Sequence, residues 1–407
     1  MPATRERHHQ QQQHRAQQQQ QQQQQQPPPP PQQQPQQQPT SHHHNNLSHN
    51  HNNNSHHHHH PQHQHHHHHQ QPTQPQSQPH QQSLVTRQIY ETFLRARQSN
   101  ETYIQKARLR EKLYNILRKC FKNPIDLYIV GSSINNLGNN NSDVDMCLII
   151  SDRDIDQTTE ALPILQFVRD QISQYEFVRK SHLILAKVPL LRFEDASSEV
   201  VVDLNVNNSV GIRNTHLINC YTRLDRRVQP LVIVIKLWAR KHRINDAFNK
   251  TLSSYSLVLM VIHYLQCGCN PPVLPCLQKM MPEIFNPSSD IKRLDLLEPL
   301  PNFLSRNAQS LEELLLGFLY YFSYMFKFAV DVISIRLGCT LDKETARYYV
   351  NSKNTPTQWR WICIEEPFDR TNTARSVWDE RAFTEILNVF RSSHYRLERT
   401  KNLNSIL

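Results

Sequence analysis

VGSSINNLGNNNSDVDMCLII, residues Val130 to Ile150, is the stretch on which the reading of this chain turns. It reads as the end of a strand (Leu127 to Val130), a Gly-Ser turn, a polar loop, and a second strand carrying Asp143 and Asp145 with Val144 between them. Side chains two apart on a strand point to the same side, so the two carboxylates project together, roughly 7 Å apart at the backbone. Converging carboxylates repel unless something positive sits between them. Where an adjacent loop offers backbone N–H groups, that something is commonly a divalent metal holding a phosphate chain. The chain has six glycines in all, and Gly131 and Gly138 bracket this loop. Glycine is needed where the backbone takes positive φ or a ligand must come close. Gly131-Ser132 therefore reads as a phosphate-cradling turn. An Asp-Val-Asp that caps a strand end beside an ordinary turn would carry the same letters.

Working outward, Glu199 to Asn208 (EVVVDLNVNN) alternates apolar and polar residues over a strand's length and sets a third carboxylate, Asp203, inside the apolar run. An aspartate there is costly to bury unless it is paired or ligates a metal. A Gly-Ser turn, a DxD on the next strand and a lone Asp on a later one resemble the signature of the DNA polymerase β-like nucleotidyltransferases. That resemblance implies two Mg²⁺ (or Mn²⁺) ions about 3.5–4 Å apart, activating a hydroxyl and neutralising a triphosphate.

Composition trims the chain. Residues 1–83 are Gln, His, Pro and Asn with almost no apolar residues, and most of the 25 histidines lie there. Such a segment cannot bury enough surface to offset its ordering entropy, so a disordered low-complexity tail is expected. The remaining chain, about 320 residues, suits two domains around a cleft. The net charge of +10 belongs mostly to it, since the tail holds Arg5, Arg7 and Arg15 against Glu6. A basic globule is consistent with an RNA or nucleotide partner. The polar N-terminus argues against a secretory leader. Leu314 to Ile335, the most apolar stretch, is broken by Lys327, Asp331 and tyrosines and reads as a buried helix rather than a membrane span. The eight cysteines include Cys267, Cys269 and Cys276 at irregular spacing; reduced intracellular thiols fit them better than zinc.

In order, Leu84 to Cys120 reads as helical, stopped by Asn123-Pro124; Ala161 to Tyr175 is an amphipathic helix; His182 to Phe193 and Glu199 to Val206 read as strands. The expected fold is α+β. It comprises a nucleotidyltransferase palm of mixed sheet and helices over 84–210, whose first helix packs on the next domain, and a mainly helical central domain over 211–400. Val228 to His242 (VQPLVIVIKLWARKH) is an apolar helix on which Lys236 and Arg240 share one face. Two cations there suit a triphosphate, although long side chains snorkelling from a helix end look alike. Thr251 to Tyr255 opens another apolar helix, with Ser253 or Ser254 as its N-cap. Tyr255 suits either the core or a stack on a nucleobase.

With these residues in place, VGSS…SDVDMCL, VDLNVNNSVGIRNT, PLVIVIKLWARKHRINDA, TLSSYSLVLMVIHYLQ and WICIEEPFDRTNTAR closely resemble the cytoplasmic poly(A) polymerases of the germline-development type. These are terminal nucleotidyltransferases with a poly(A)-polymerase-associated domain. The resemblance runs from about residue 86 to 395 and implies nucleotide bound between palm and central domain. It implies that Asp143, Asp145 and Asp203 are the metal-binding catalytic triad, with Gly131 and Ser132 at the triphosphate. Asn208, Asn214 and Thr215 would meet the ribose, Lys236 and Arg240 the triphosphate, and Ser254 and Tyr255 the phosphate and base. Glu366, Asp369 and Asn372 lie in the nucleotide-recognition segment; uridylyl-adding relatives have histidine in place of Asn372, so asparagine points to ATP. Asn136 stands where relatives usually have glycine, and asparagine tolerates left-handed backbone better than most residues.

The resemblance implies an adenylyltransferase that extends mRNA 3′ ends with AMP from ATP in the cytoplasm. Germline or neuronal translational control would follow. No RNA-recognition module is visible in the sequence, so specificity for an mRNA would come from an RNA-binding partner protein. Uridylyl addition and an inactive scaffold in an mRNA-regulating complex are the alternatives.

Overall fold

The computed structural model describes residues 82–349, 351 and 353–407. All but the last two residues of the low-complexity stretch 1–83 lie outside the described residues. The palm is built on a five-stranded sheet whose strands are β1 (Asp126–Val130), β2 (Val144–Ile149), β3 (Val178–Ile184), β4 (Leu190–Asp195) and β5 (Val201–Val206). Their order across the sheet is β1-β2-β5-β4-β3. β2 and β5 run parallel; β1 with β2, β4 with β5, and β3 with β4 are antiparallel.

Period-two alternation divides the sheet's faces. Val144, Met146 and Leu148 of β2, with Val202, Leu204 and Val206 of β5, are buried against Leu109, Leu113 and Leu117 and against Ala161, Leu165, Val168 and Ile172. Leu109, Leu113 and Leu117 lie on a helix spanning Asn100–Leu117, and the other four on one spanning Ala161–Ile172. The alternate residues of β2 face away: Cys147 and Ile149 pack with Val130 and with Ile212 of the following helix. Asp145 and Asp203 fall in this second set, so the strands that bury their core face must turn the carboxylates the other way.

The helical body has its own core. A first helix (Leu84–Ala96) buries Val85 and Ile89 with residues of Ser209–Leu224, Val228–Lys241, Ser254–His263, Leu311–Tyr320 and Glu380–Thr400. At its centre Trp238 is fully buried, its indole donates to Ser393 Oγ (2.9 Å), and Phe390 meets it edge-on at 4.9 Å between centroids. A hairpin of β6 (Asp331–Ser334) and β7 (Cys339–Asp342) completes this body.

Three sequence expectations change. Leu84 to Cys120 is two helices, because Ser99 caps a second one: its Oγ accepts from Thr102 N, and Arg97 is extended. His182 to Phe193 is a hairpin and not one strand. Residues 185–189 turn the chain, with Leu185 exposed and Pro189 unable to donate to a ladder. Leu314 to Ile335 begins as helix, opens into a π-helical turn at Tyr321–Met325 and ends in β6. No helix among the described residues is long and apolar enough to cross a membrane.

Replacing Trp238 by alanine removes the largest side chain of the helical core and the donor to Ser393. The expected loss of stability is about 3–5 kcal/mol, read from urea unfolding of the variant against the parent.

Candidate active site

The site begins at the turn after β1. Gly131 takes φ 70°, and a Cβ there would lie 2.6 Å from Asp145 Oδ2, so both the backbone conformation and the close approach require glycine. Three residues of the helix Ser209–Leu224 hold this turn in place. Thr215 Oγ1 accepts from Gly131 N (2.9 Å) and donates to Gly211 O (2.7 Å). Asn219 Nδ2 donates to Ile134 O (3.2 Å), and Thr222 Oγ1 to Asn135 O (3.2 Å). Thr215, Asn219 and Thr222 are spaced four and three apart, one face of a helix. Asn136 takes the left-handed conformation (φ 66°), and its Nδ2 reaches Thr222 Oγ1 (3.3 Å).

The carboxylates are brought together by strand pairing. Asp145 on β2 is the register partner of Asp203 on the parallel strand β5, and Asp203 is in turn paired with Arg192 on antiparallel β4. Asp143 sits just before β2. Arg192 grips Asp203 at both oxygens, Nε to Oδ1 (2.7 Å) and Nη2 to Oδ2 (2.6 Å), and Nη2 also reaches Asp143 Oδ2 (3.0 Å). Burial, reinforced by Asp203 and Asp143, pushes the Asp145 carboxyl up to about 7; burial and Asp203 raise Asp143. Asp143 and Asp145 thus lack compensating positive charge, which a divalent cation could supply, although no three His, Cys, Asp or Glu side chains among the described residues are already grouped as metal ligands. A positive group already stands between Asp143 and Asp203.

Two more cations approach. Lys236 and Arg240, four apart on the helix Val228–Lys241, present one face. Lys236 Nζ donates to Leu137 O (2.9 Å), and burial together with Arg240 lowers its pKa to about 8 while Asp145 works against the shift. Arg240 is exposed, and its charge reaches Asp143.

A second polar group gathers Tyr255, Glu366 and Asn214. Half-buried Tyr255 donates its hydroxyl to Glu366 Oε1 (3.1 Å). Glu366 is held well above the usual carboxylate range by burial, with Asp369 adding to the shift and a bond from Asn214 opposing it. Among the described residues the Asn214 Oδ1 is buried without a partner. Ser253, not Ser254, caps the helix Ser254–His263; Ser254 Oγ donates to Asn245 Oδ1 (3.1 Å). Asn208 caps the helix Ser209–Leu224.

Asn372 is engaged by its own surroundings. It is fully buried, its Oδ1 accepts from Ile364 N (3.0 Å) and Ala374 N (2.9 Å), and its Nδ2 donates to Gln358 O (2.8 Å) and Ile362 O (3.0 Å). Both amide atoms are saturated by backbone, so the side chain has nothing left to offer a base. It pins the loop that carries Glu366 and Asp369.

Sequence reasoning missed Arg192 and Lys106. Lys106 is fully buried; its Nζ donates to Gln98 Oε1 (2.8 Å), Ser133 Oγ (3.0 Å) and Ser142 Oγ (3.1 Å), bracing both ends of the loop between β1 and β2. Its spacing with Leu109 and Leu113, three and seven residues on, sets it on the buried stripe and was a readable signal. Nothing local marks Arg192, because only the β4–β5 register aims it at Asp203.

Residues 85–223 match the family model for the central palm domain of mitochondrial-like poly(A) RNA polymerase, and residues 310–372 that of the Cid1 family poly A polymerase. The chain is 44% identical over 321 residues to Poly(A) RNA polymerase gld-2 homolog A of Drosophila melanogaster, covering 78% of this chain and 23% of that one. It is 41% identical over 340 residues to Poly(A) RNA polymerase GLD2 of Homo sapiens, covering 81% of this chain and 67% of that one. The chain thus spans from about a quarter to two-thirds of the length of such relatives. Among solved structures it resembles the GLD-2 chain of a GLD-2/RNP-8 complex, with TM-score 0.72 and 40% identity over 79% of this chain and 97% of that one. It also resembles the Cid1 poly(U) polymerase with MgGTP, with TM-score 0.64 and 25% identity over 79% and 97%. With identity of this order over two-thirds of a full-length relative and nearly all of a solved one, the chain belongs to the GLD2 family of poly(A) RNA polymerases.

Proposed function

We propose that this chain is a template-independent adenylyltransferase that adds AMP from ATP to RNA 3′ ends and releases pyrophosphate. One observation carries the reading: Asp143, Asp145 and Asp203 converge beside the Gly131 turn, with the cations Lys236 and Arg240 on the facing helix. Asp143, Asp145 and Asp203 would hold Mg²⁺ or Mn²⁺. The chemistry such ions supply when bound is a lowered pKa for the attacking 3′-hydroxyl and neutralisation of triphosphate charge.

The chain's own residues do the rest. Gly131 lets the turn come close to the phosphates, with Ser132 beside it, and Thr215 fixes the turn's amide. Lys236 and Arg240 attract the triphosphate, and the partly buried Lys236 acts in a lower dielectric than water. Ser254, Tyr255 and Asn214 line the side where ribose and base belong, and Glu366 sets the orientation of the Tyr255 ring through its hydroxyl. Asn208 supports the start of the helix that bears Asn214. The likeness to poly(A) RNA polymerases, rather than Asn372, supports ATP as the substrate.

Choice of RNA is assigned to a separate RNA-binding protein. Solved relatives are GLD-2 in complex with RNP-8 and with GLD-3, and the chain's net charge of +10 supplies sequence-independent affinity for a phosphate backbone. The cytoplasm is the proposed compartment, and translational control by tail lengthening the proposed role.

Primer extension tests this. Labelled oligo(A) RNA with Mg²⁺ and each of ATP, UTP, CTP and GTP separately should give a ladder with ATP; a ladder with UTP alone would replace adenylyl by uridylyl transfer. No ladder, even with an RNA-binding partner added, would turn the reading to a scaffold. Asp145→Asn should abolish extension while the metal-free protein melts no lower than the parent, since an amide replaces a buried carboxylate between two others. Asn372→Ala should lower stability by about 2 kcal/mol or more, because it strands buried backbone donors and acceptors. The ATP-to-UTP incorporation ratio of the folded fraction should not move.

A further inference from the structure

Asp143 and Asp203 are joined through a single nitrogen. Arg192 Nη2 lies 3.0 Å from Asp143 Oδ2 and 2.6 Å from Asp203 Oδ2, while Nε holds the other oxygen of Asp203. A divalent ion held by these two carboxylates would need the oxygens that the guanidinium now engages. An ion and the guanidinium would compete for those oxygens.

The neighbouring cations are engaged elsewhere. Lys106 directs its ammonium to Gln98, Ser133 and Ser142, and Lys236 to the Leu137 carbonyl. Among the described residues, the ion pairs to Asp143 and Asp203 come from Arg192. A guanidinium does not lose its charge at any physiological pH, so it leaves only by moving. Its side chain is 37% exposed, which gives it a way out, whereas that of Asp203 is 11% exposed. Strand register sets the geometry: Arg192 and Asp203 are direct cross-strand partners on the face that carries Asp145.

We propose that Arg192 is an internal counter-cation: it holds carboxylate oxygens that a divalent ion would use, keeps the triad from repelling itself, and must release them when metal enters. This rests on the reading of Asp143, Asp145 and Asp203 as metal ligands. Arg192 is a positioning residue in this role, since it sets how readily the triad accepts an ion. Metal affinity is lowered by the fraction of chains in which Arg192 has released the carboxylates.

The test uses the full chain, Mn²⁺ as the probe and no nucleotide, at pH 8. Calorimetric titration of the parent should give measurable Mn²⁺ binding. Arg192→Gln should bind Mn²⁺ about tenfold more tightly and, without metal, melt at a lower temperature than the parent. Arg192→Lys keeps a charge but lacks the two-pronged grip, and should fall between the two in affinity; if the glutamine variant does not fold, this variant decides. Mn²⁺ affinity that is unchanged or weaker in the folded variants, with the parent binding, overturns the counter-cation and leaves the metal site standing. Absence of Mn²⁺ binding in parent and variants alike overturns the metal site and the counter-cation with it.

Discussion

The parallel pairing of β2 with β5 is the constraint on which the site depends. It places Asp145 directly beside Asp203, and antiparallel β4 then sets Arg192 on the far side of Asp203. Like charges at that spacing, partly removed from water, oppose folding unless a cation compensates them. The sheet meets this cost on its other face, where Val144, Met146, Leu148, Val202, Leu204 and Val206 are buried under two helices. One set of strands thus serves two purposes because alternate residues face opposite ways.

The helical body also supports the site. Thr215, Asn219 and Thr222, one stripe of the helix Ser209–Leu224, bond to Gly131, Ile134 and Asn135. Lys106 holds the same loop from the other side, through Ser133 and Ser142. The turn is therefore fixed between the palm's helix Asn100–Leu117 and the helix Ser209–Leu224, which is what an anion-binding turn requires if it is to be set before a ligand arrives. Asn136 belongs to this arrangement. Its left-handed backbone is stabilised by its own side chain on Thr222, so the loop keeps the conformation that glycine would allow freely.

Glu366 and Tyr255 illustrate a different strategy. A buried carboxyl whose ionisation is disfavoured still accepts hydrogen bonds, from Tyr255 and from the backbone of Phe368. Asn372 stabilises the loop around it through four backbone contacts. A polar residue in a recognition segment is as readily a structural fastener as a ligand contact, and only its hydrogen-bond partners separate the two.

What the sequence determined by itself was local or periodic. Glycine at a strand end, two aspartates at i and i+2, a third inside an alternating run, and two cations four apart on an apolar helix each follow from spacing along the chain, because strand and helix periods fix which side chains share a face. The break at Ser99 and the hairpin at 185–189 were also local, written in a capping serine and a proline, and were overlooked. The pairing of Asp145 with Asp203, the grip of Arg192 and the full burial of Asn372 were decided by tertiary structure alone. Strand order, register and burial depend on contacts between residues far apart in the chain, and no local pattern encodes which strand becomes whose neighbour.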